Sequence, residues 1–367
     1  MNVGTLRTAL ETPLQALHAQ AGATIGAWFG SALPDRFGED WQAEYRAARQ
    51  SVVLIDKNYR AYLRFSGPDR VRYLNAILTN NIKDLAKGQG IVSLFLNPQG
   101  RIQAEIESYA TSDSLFCISY AMIRETLVPA LDKFIIMDEV TLTDETATFG
   151  TVALEGPNAT AVVKKLTSID LASLDDLAFQ EACVAGISSG LTRRSPGGVA
   201  GAEFLATRAD LPHLWQILRQ AVEQSGGRPM GYQALNALRL EQGIPWFGYD
   251  FGDKQIPHEA GLEHSHISYS KGCYTGQEIV ERVRSRGQVN RVRVLLKLDS
   301  AEPPVAGSAL PTDGKEAHVT RWAFSPVLRT GIAMAYVRRE KAAAGSELTG
   351  GSGKATVITP PLAAIAT

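Results

Sequence analysis

Cysteine is scarce in this 367-residue chain: Cys117, Cys183 and Cys273 are the only three. They are odd in number and widely separated, and no CxxC or Cys/His cluster accompanies them. A disulfide framework is therefore excluded, and no metal or iron-sulfur cluster can be held by these residues alone. A reducing compartment follows. No apolar run approaches the roughly 20 residues of a membrane span, and no basic-then-apolar leader opens the sequence, so a cytoplasmic protein without membrane partners is expected. Excess positive charge is absent too, the formal net charge being -1. A protein whose main task is to coat DNA or an anionic membrane would need a basic surplus.

What is present is enough chain for two or three cores. A pattern occurs twice. Tyr62 to Ser66 alternates like a half-buried strand, stops at Gly67-Pro68-Asp69, and gives way to Val71, Leu74, Ile77 and Leu78 at helical spacing. Thr151 to Leu154 stops at Gly156-Pro157-Asn158, with Ala161, Val162 and Leu166 behind it. Between these units the spacing predicts strands at Ile91–Leu96, Arg101–Tyr109 and Ser114–Tyr120, a helix from Ala121 to Lys133 and a strand near Val140–Leu142. Residues Thr12 to Gly38 read as a short helix followed by a loop, and Ala43 to Arg49 as a helix. The second unit adds strands near Ala182–Ser188 and Ala202–Thr207, and a helix from Leu211 to Gln224 capped by Asp210.

This order is that of split βαβ, ferredoxin-like units. The predicted fold class is therefore α+β, two such units over residues 50–145 and 146–245 within a body spanning 1–288. Beyond Gln288 helical periodicity ends. Val292–Leu298, Pro303–Gly307, Ala317–Trp322, Gly331–Val337 and Ala355–Ile358 are short strand candidates, giving a small antiparallel barrel over 289–367.

The stretch richest in chemistry is Lys271-Gly272-Cys273-Tyr274-Thr275-Gly276-Gln277-Glu278, running on to Arg282. Its glycines permit tight turns, and a helix is predicted from Gln277. Lys271 and that helix start would favour thiolate at Cys273, making it the candidate reactive cysteine. The plainer reading is a small packed hydrophobe. Six cations against two acids between Lys271 and Arg293 form either a solvated helix face or an anion site.

Together with Phe65-Ser66-Gly67-Pro68-Asp69, Leu96-Asn97-Pro98-Gln99-Gly100, Gly198 to Phe204, Leu238 to Gly243 and Pro257 to Leu262, this octet resembles the glycine-cleavage T-protein superfamily. Lys-Gly-Cys-Tyr-x-Gly-Gln-Glu with a following Arg282 is similar to the YgfZ branch of folate-binding proteins. The resemblance implies two intertwined α+β domains around a folate channel, a C-terminal barrel, and tetrahydrofolate or a one-carbon derivative as cofactor. Glu203 matches the pterin-binding glutamate, whose carboxylate accepts a planar pair of donors. Arg239 matches a guanidinium for the glutamate tail.

One departure bears on activity: the run Gly100-Arg101-Ile102-Gln103-Ala104-Glu105 has Ala104 where the aminomethyltransferases carry the first of two acids. The turn before Glu203 also departs, reading Pro196-Gly197-Gly198. The first functional expectation is accordingly a tetrahydrofolate-binding accessory factor in iron-sulfur cluster assembly or repair, with iron-sulfur client or assembly proteins as partners. The alternatives are a folate-dependent one-carbon transferase, with Cys273 and Lys271 as catalytic residues, and a tRNA-modification accessory protein with weak tRNA contact. Gly272, Tyr274, Gly276, Gln277, Glu278 and Arg282 complete the expected motif loop.

Overall fold

The structure, a computed structural model, describes residues 9–194, 200–301, 317–350 and 353–362. In chain order, α1 (Gln15–Gln20) leads to a hairpin of β1 (Ala23–Trp28) and β2 (Ser31–Phe37), then α2 (Trp41–Gln50) and β3 (Val53–Asp56). Next come β4 (Arg60–Ser66), α3 (Arg70–Ile77), β5 (Gly90–Leu96), β6 (Ile102–Ala110), β7 (Leu115–Tyr120), α4 (Arg124–Asp132) and β8 (Thr141–Asp144). The order recurs as β9 (Phe149–Glu155), α5 (Ala159–Thr167), β10 (Phe179–Val184), β11 (Ile187–Arg193), β12 (Gly201–Thr207), α6 (Leu211–Gln224) and β13 (Arg228–Pro229). After α7 (Tyr232–Glu241), α8 (Pro257–Ala260) and α9 (Gln277–Arg286) come β14 (Arg291–Leu298), β15 (Ala317–Ser325), β16 (Thr330–Arg338), β17 (Glu347–Gly350) and β18 (Gly353–Ile358).

The duplication is intertwined. One sheet runs β5-β6-β7-β4-β8 and the other β10-β11-β12-β9-β3-β13. In the first, β8 pairs antiparallel with β4; in the second, β3, from the chain just ahead of β4, takes that place beside β9. The two Gly-Pro turns explain the match. Gly67 and Gly156 have φ of +96° and +129°, and a Cβ on either would lie 2.2 Å from the Glu139 carbonyl or 2.4 Å from that of Ser51. Each turn thus nests against the chain feeding β8 or β3, an approach open only to glycine.

Alternation sorts the two faces of each sheet. The outward face of the second sheet buries Leu54, Val152, Leu154 and Phe204 with Leu214, Trp215, Leu218 and Val222 of α6. At about 1.5–3 kcal/mol for each fully buried large side chain, this layer is a main source of stability. The inward faces meet through Tyr62, Tyr109, Phe116, Ile118 and Leu177, joined by Phe149, Phe179 and Leu205. Tyr62 Oη and Thr151 Oγ1, 2.7 Å apart, tie one sheet to the other.

The chain divides into two compact units, Met1–Phe95 with Ala104–Ala234 and Ser268–Tyr274, and Leu96–Gln103 with Leu235–Ile267 and Thr275–Thr367. The second therefore holds more than the stretch after Gln288. Its sheet, in the order β15-β16-β14-β18-β17, is antiparallel and packs Leu296, Leu298, Ala333, Ala335, Val337 and Val357.

Three expectations change, and two fall outside the described residues. Residues 23–37 form a hairpin rather than a loop, and the single strand at Ala182–Ser188 is two strands, β10 and β11, joined at Ala185-Gly186. Asp210 holds the N-cap position of α6, but its carboxylate accepts from Thr207 Oγ1 instead of capping backbone N–H groups. The strand candidate Pro303–Gly307 and the altered turn Pro196-Gly197-Gly198 lie outside the described residues.

Candidate functional site

The inward face of the first unit carries charge where its neighbours carry rings. Arg60 opens β4, paired with Tyr120 of β7, and Glu107 of β6 is paired with Ile118. Glu203 lies on β12, one residue from Phe204, which faces the helices. Arg60 grips Glu203 two-pronged: Nη1 donates to Oε2, and Nη2 donates to Oε1 at 2.9 Å. Both are buried, at 6% and 3% exposure. Arg60 Nη2 lies 3.7 Å from Glu107 Oε1, which also receives Arg194 Nη2 at 2.9 Å, while Tyr109 Oη donates to Glu107 Oε2 at 2.7 Å.

Burial opposes every one of these charges, and the pairs overcome it. Desolvation would pull Arg60 down, but Glu203 and Glu107 hold it well above its usual value. Desolvation would likewise push Glu107 up, yet Arg194 and Arg60 hold it below the usual carboxylate value. Buried charge-assisted pairs of this kind are stronger than the same pairs in water.

A small cavity opens on it, lined by Tyr59, Arg60, Glu105, Glu107, Ile118, Ser119 and Tyr120. Tyr59 stacks on Phe29 at 4.3 Å and on Tyr120 at 5.7 Å, giving an aromatic wall. Glu105 Oε2 accepts from Tyr120 Oη at 2.8 Å. Glu105 and Glu107 share this face, whereas alternation turns the fully buried Ala104 the other way. The departure at Ala104 therefore leaves the acids that face the cavity in place.

The motif loop takes a shape that its residues explain. Lys271 Nζ donates to the carbonyls of Asn75 at 2.5 Å and Asn80 at 3.2 Å and to that of Leu78, closing the C-terminal end of α3. It also lies 5.1 Å from the centre of the buried Tyr274 ring. Burial pulls the Lys271 ammonium down to about 8. This corrects the expectation for Lys271: its charge is committed to backbone carbonyls and packing, because a helix C-terminus offers partial negative charge. Cys273 is exposed, as is Gly272. The boundary between the two units falls inside the motif, between Tyr274 and Thr275.

On the other side of that boundary, Gly276 (φ +82°) is the N-cap of α9, and a Cβ there would meet the Asn97 carbonyl at 2.6 Å. Gln277 begins the helix as expected. Glu278 and Arg282 pair with each other at 2.7 Å on its exposed side, and Arg284 with Glu281 at 3.4 Å, the arrangement of a solvated face.

Arg239 is also corrected. It is fully buried, with Nη1 on Asp250 and on the Ile244 carbonyl at 3.1 Å, Nε and Nη2 on Asn236 Oδ1, and its guanidinium 4.5 Å from the Trp246 ring centre. Burial pulls it down to about 10 despite Asp250. Its donors are spent on fixing the chain after α7. Arg60, Glu105, Glu107, Arg194 and Tyr120 were not singled out from sequence. The usable signal was charge on alternate residues of a half-buried strand: Glu105 and Glu107, and Arg60 two before Tyr62. Among the described residues no group of three His, Cys, Asp or Glu side chains could hold a metal ion, and no helix is long and apolar enough to cross a membrane.

Comparison with known proteins agrees with this architecture. The GCVT N-terminal domain matches residues 14–267 and the glycine cleavage T-protein C-terminal barrel domain residues 291–363. An aminomethyltransferase of Streptomyces avermitilis is 29% identical over 339 residues, 91% of either chain. One from Halothermothrix orenii is 28% identical over 342 residues, 92% of this chain and 94% of that protein. The crystal structure of glycine cleavage system aminomethyltransferase T from Bartonella henselae superposes with a TM-score of 0.85 at 24% identity, covering 96% of this chain and 98% of that one.

Proposed function

Because the chain belongs to the glycine cleavage T-protein family, we propose that it binds tetrahydrofolate and acts as a one-carbon transferase of the aminomethyltransferase type. One observation carries the reading: the buried Glu203 accepts two-pronged from Arg60, which lines a small cavity together with Tyr59, Tyr120 and Glu105. The donor set fits a pterin. Its amide N–H and exocyclic amine form a planar pair, the same pattern that Arg60 now presents to Glu203. Tyr59 and Tyr120 offer ring faces, and Glu105, oriented by Tyr120, would hold the charge of an aminomethyl nitrogen. Tetrahydrofolate supplies the nitrogen that takes up the one-carbon unit. Residues 289–367 are proposed as the C-terminal domain, supported by the separate match at 291–363.

The pure protein with tetrahydrofolate and an aminomethyl-bearing donor should release ammonia and form a methylene-folate, with Glu105→Gln slower by about a hundredfold or more. Binding without turnover would reject the transferase.

The accessory reading, a YgfZ-type factor serving iron-sulfur enzymes, has its own supporting observation. Lys271 anchors the octet to α3 while Cys273 stays exposed, a geometry that presents a thiol rather than burying it. Loss of iron-sulfur enzyme activity in cells carrying Cys273→Ser, with turnover of the pure variant intact, would favour it.

A further inference from the structure

We propose that Arg60 is a built-in occupant of the pterin seat, and that a ligand enters by moving its guanidinium from Glu203 to Glu107. The proposal rests on the folate reading above and names what controls access to Glu203.

The competition follows from donor geometry. A guanidinium and the amide–amine edge of a pterin both present two parallel N–H donors in one plane, and a carboxylate accepts one such fork at a time. Arg60 holds both oxygens of Glu203. A pterin cannot take them until Arg60 leaves.

A buried guanidinium cannot simply be expelled, since an unpaired charge inside a protein costs several kcal/mol. The structure provides a second seat. Glu107 Oε1 is already 3.7 Å from Arg60 Nη2. Glu107 has partners besides Arg60, since Oε1 also receives Arg194 Nη2 and Oε2 the Tyr109 hydroxyl. The Tyr59 ring, its centre 5.9 Å from the guanidinium carbon, flanks the path. Moving Arg60 the short distance to Glu107 keeps its guanidinium paired with a carboxylate, while Glu203 exchanges the two donors of Arg60 for those of the pterin.

Arg60 then sets specificity. A ligand offering one donor would leave half of Glu203 unsatisfied after displacing a fork that satisfied all of it, so only a two-donor edge can exchange for Arg60. Arg60 is a positioning residue here and takes no part in bond making.

The test is calorimetric titration with tetrahydrofolate of the parent, Arg60→Lys and Glu107→Gln, each checked for cooperative unfolding. Lysine keeps a cation beside Glu203 but lacks the fork, so Arg60→Lys should bind more tightly, on the order of tenfold. Glu107→Gln removes the second seat and should bind more weakly by a similar factor. A merely structural Arg60 predicts weaker binding in both. Should Arg60→Lys not fold, Glu107→Gln read against the parent carries the test, and binding no weaker than the parent's overturns the inference. A second readout is the affinity ratio between tetrahydrofolate and its 2-desamino analogue, which should shrink in Arg60→Lys. Equal or weaker binding by Arg60→Lys while the parent binds overturns the inference and leaves the folate reading standing. No binding by any of the proteins removes the folate reading, and this inference with it.

Discussion

Lys271 Nζ donates to the backbone carbonyl of Asn75 at 2.5 Å, so the charge that seemed to belong beside a reactive thiol instead closes a helix two hundred residues earlier in the chain. Replacing it by methionine should cost about 1–2 kcal/mol, the range for losing a cation and its bonds at a helix C-terminus. The pH dependence has a definite sign. Burial lowers Lys271 from 10.5 to about 8, so between those values the unfolded chain binds more protons, and this residue's contribution to stability rises with pH across that window. Denaturant midpoints of parent and Lys271→Met should therefore diverge from pH 8 upward; parallel curves would show that the residue is not held as described.

Glu203 and Arg60 form a buried pair, so removing one strands the other. Glu203→Ala should lower stability by roughly 3–5 kcal/mol, read by urea unfolding, and weaken tetrahydrofolate binding by about 1–3 kcal/mol, read by calorimetry. Unchanged affinity would take Glu203 out of the pterin site, and a stability loss below about 1 kcal/mol would deny the pair its buried character.

The repeat was legible because its signals are local: a strand, a Gly-Pro turn at Gly67 or Gly156, and an apolar stripe. The helix Leu211–Gln224 was read to the residue for the same reason. Two hairpins were hidden by their turns. Phe29-Gly30 and Ala185-Gly186 both have positive φ at two successive positions, but with Phe and Ala where Asn or Asp would announce the turn. The site was half legible. Glu203 stood out through its neighbours, whereas Arg60 looked like any strand arginine, because its partner lies 143 residues away. Arg239 failed for the converse reason: a guanidinium in a Gly-rich block reads as a ligand contact until Asp250 is seen to bury it.

A further pH effect arises at Glu44. Its carboxylate accepts from Phe37 N at 2.5 Å and Gly231 N at 2.8 Å, and burial still pushes it up from 4.5 to about 7. The folded state then binds more protons than the unfolded one between those values, so its contribution to stability falls as pH rises from about 4.5 to 7. Glu44→Gln should be flatter across this range in thermal melts. An identical slope in both proteins would reject the assignment.

The thiols separate by exposure. Cys117 is 1% exposed on β7, 3.4 Å from Ser108 Oγ, and burial pushes it up to about 12. Cys183 also lies on a strand, β10. It is exposed, because alternation along β10 turns Ala182 and Val184 inward and Cys183 out. Native protein should therefore react with an aromatic disulfide reagent at two thiols, Cys183 and Cys273, and at a third only after denaturation. Cys183→Ser should leave one reactive thiol, and that one reports the motif loop alone. Cys273→Ser should keep stability within about 0.5 kcal/mol of the parent, since an exposed loop side chain supports little packing. A native Cys183→Ser protein that shows no fast thiol would mean that the loop is shielded and the thiol is not presented. A Cys273→Ser protein that retains both turnover and iron-sulfur enzyme activity in cells would leave the chemistry to the folate site and its carboxylates.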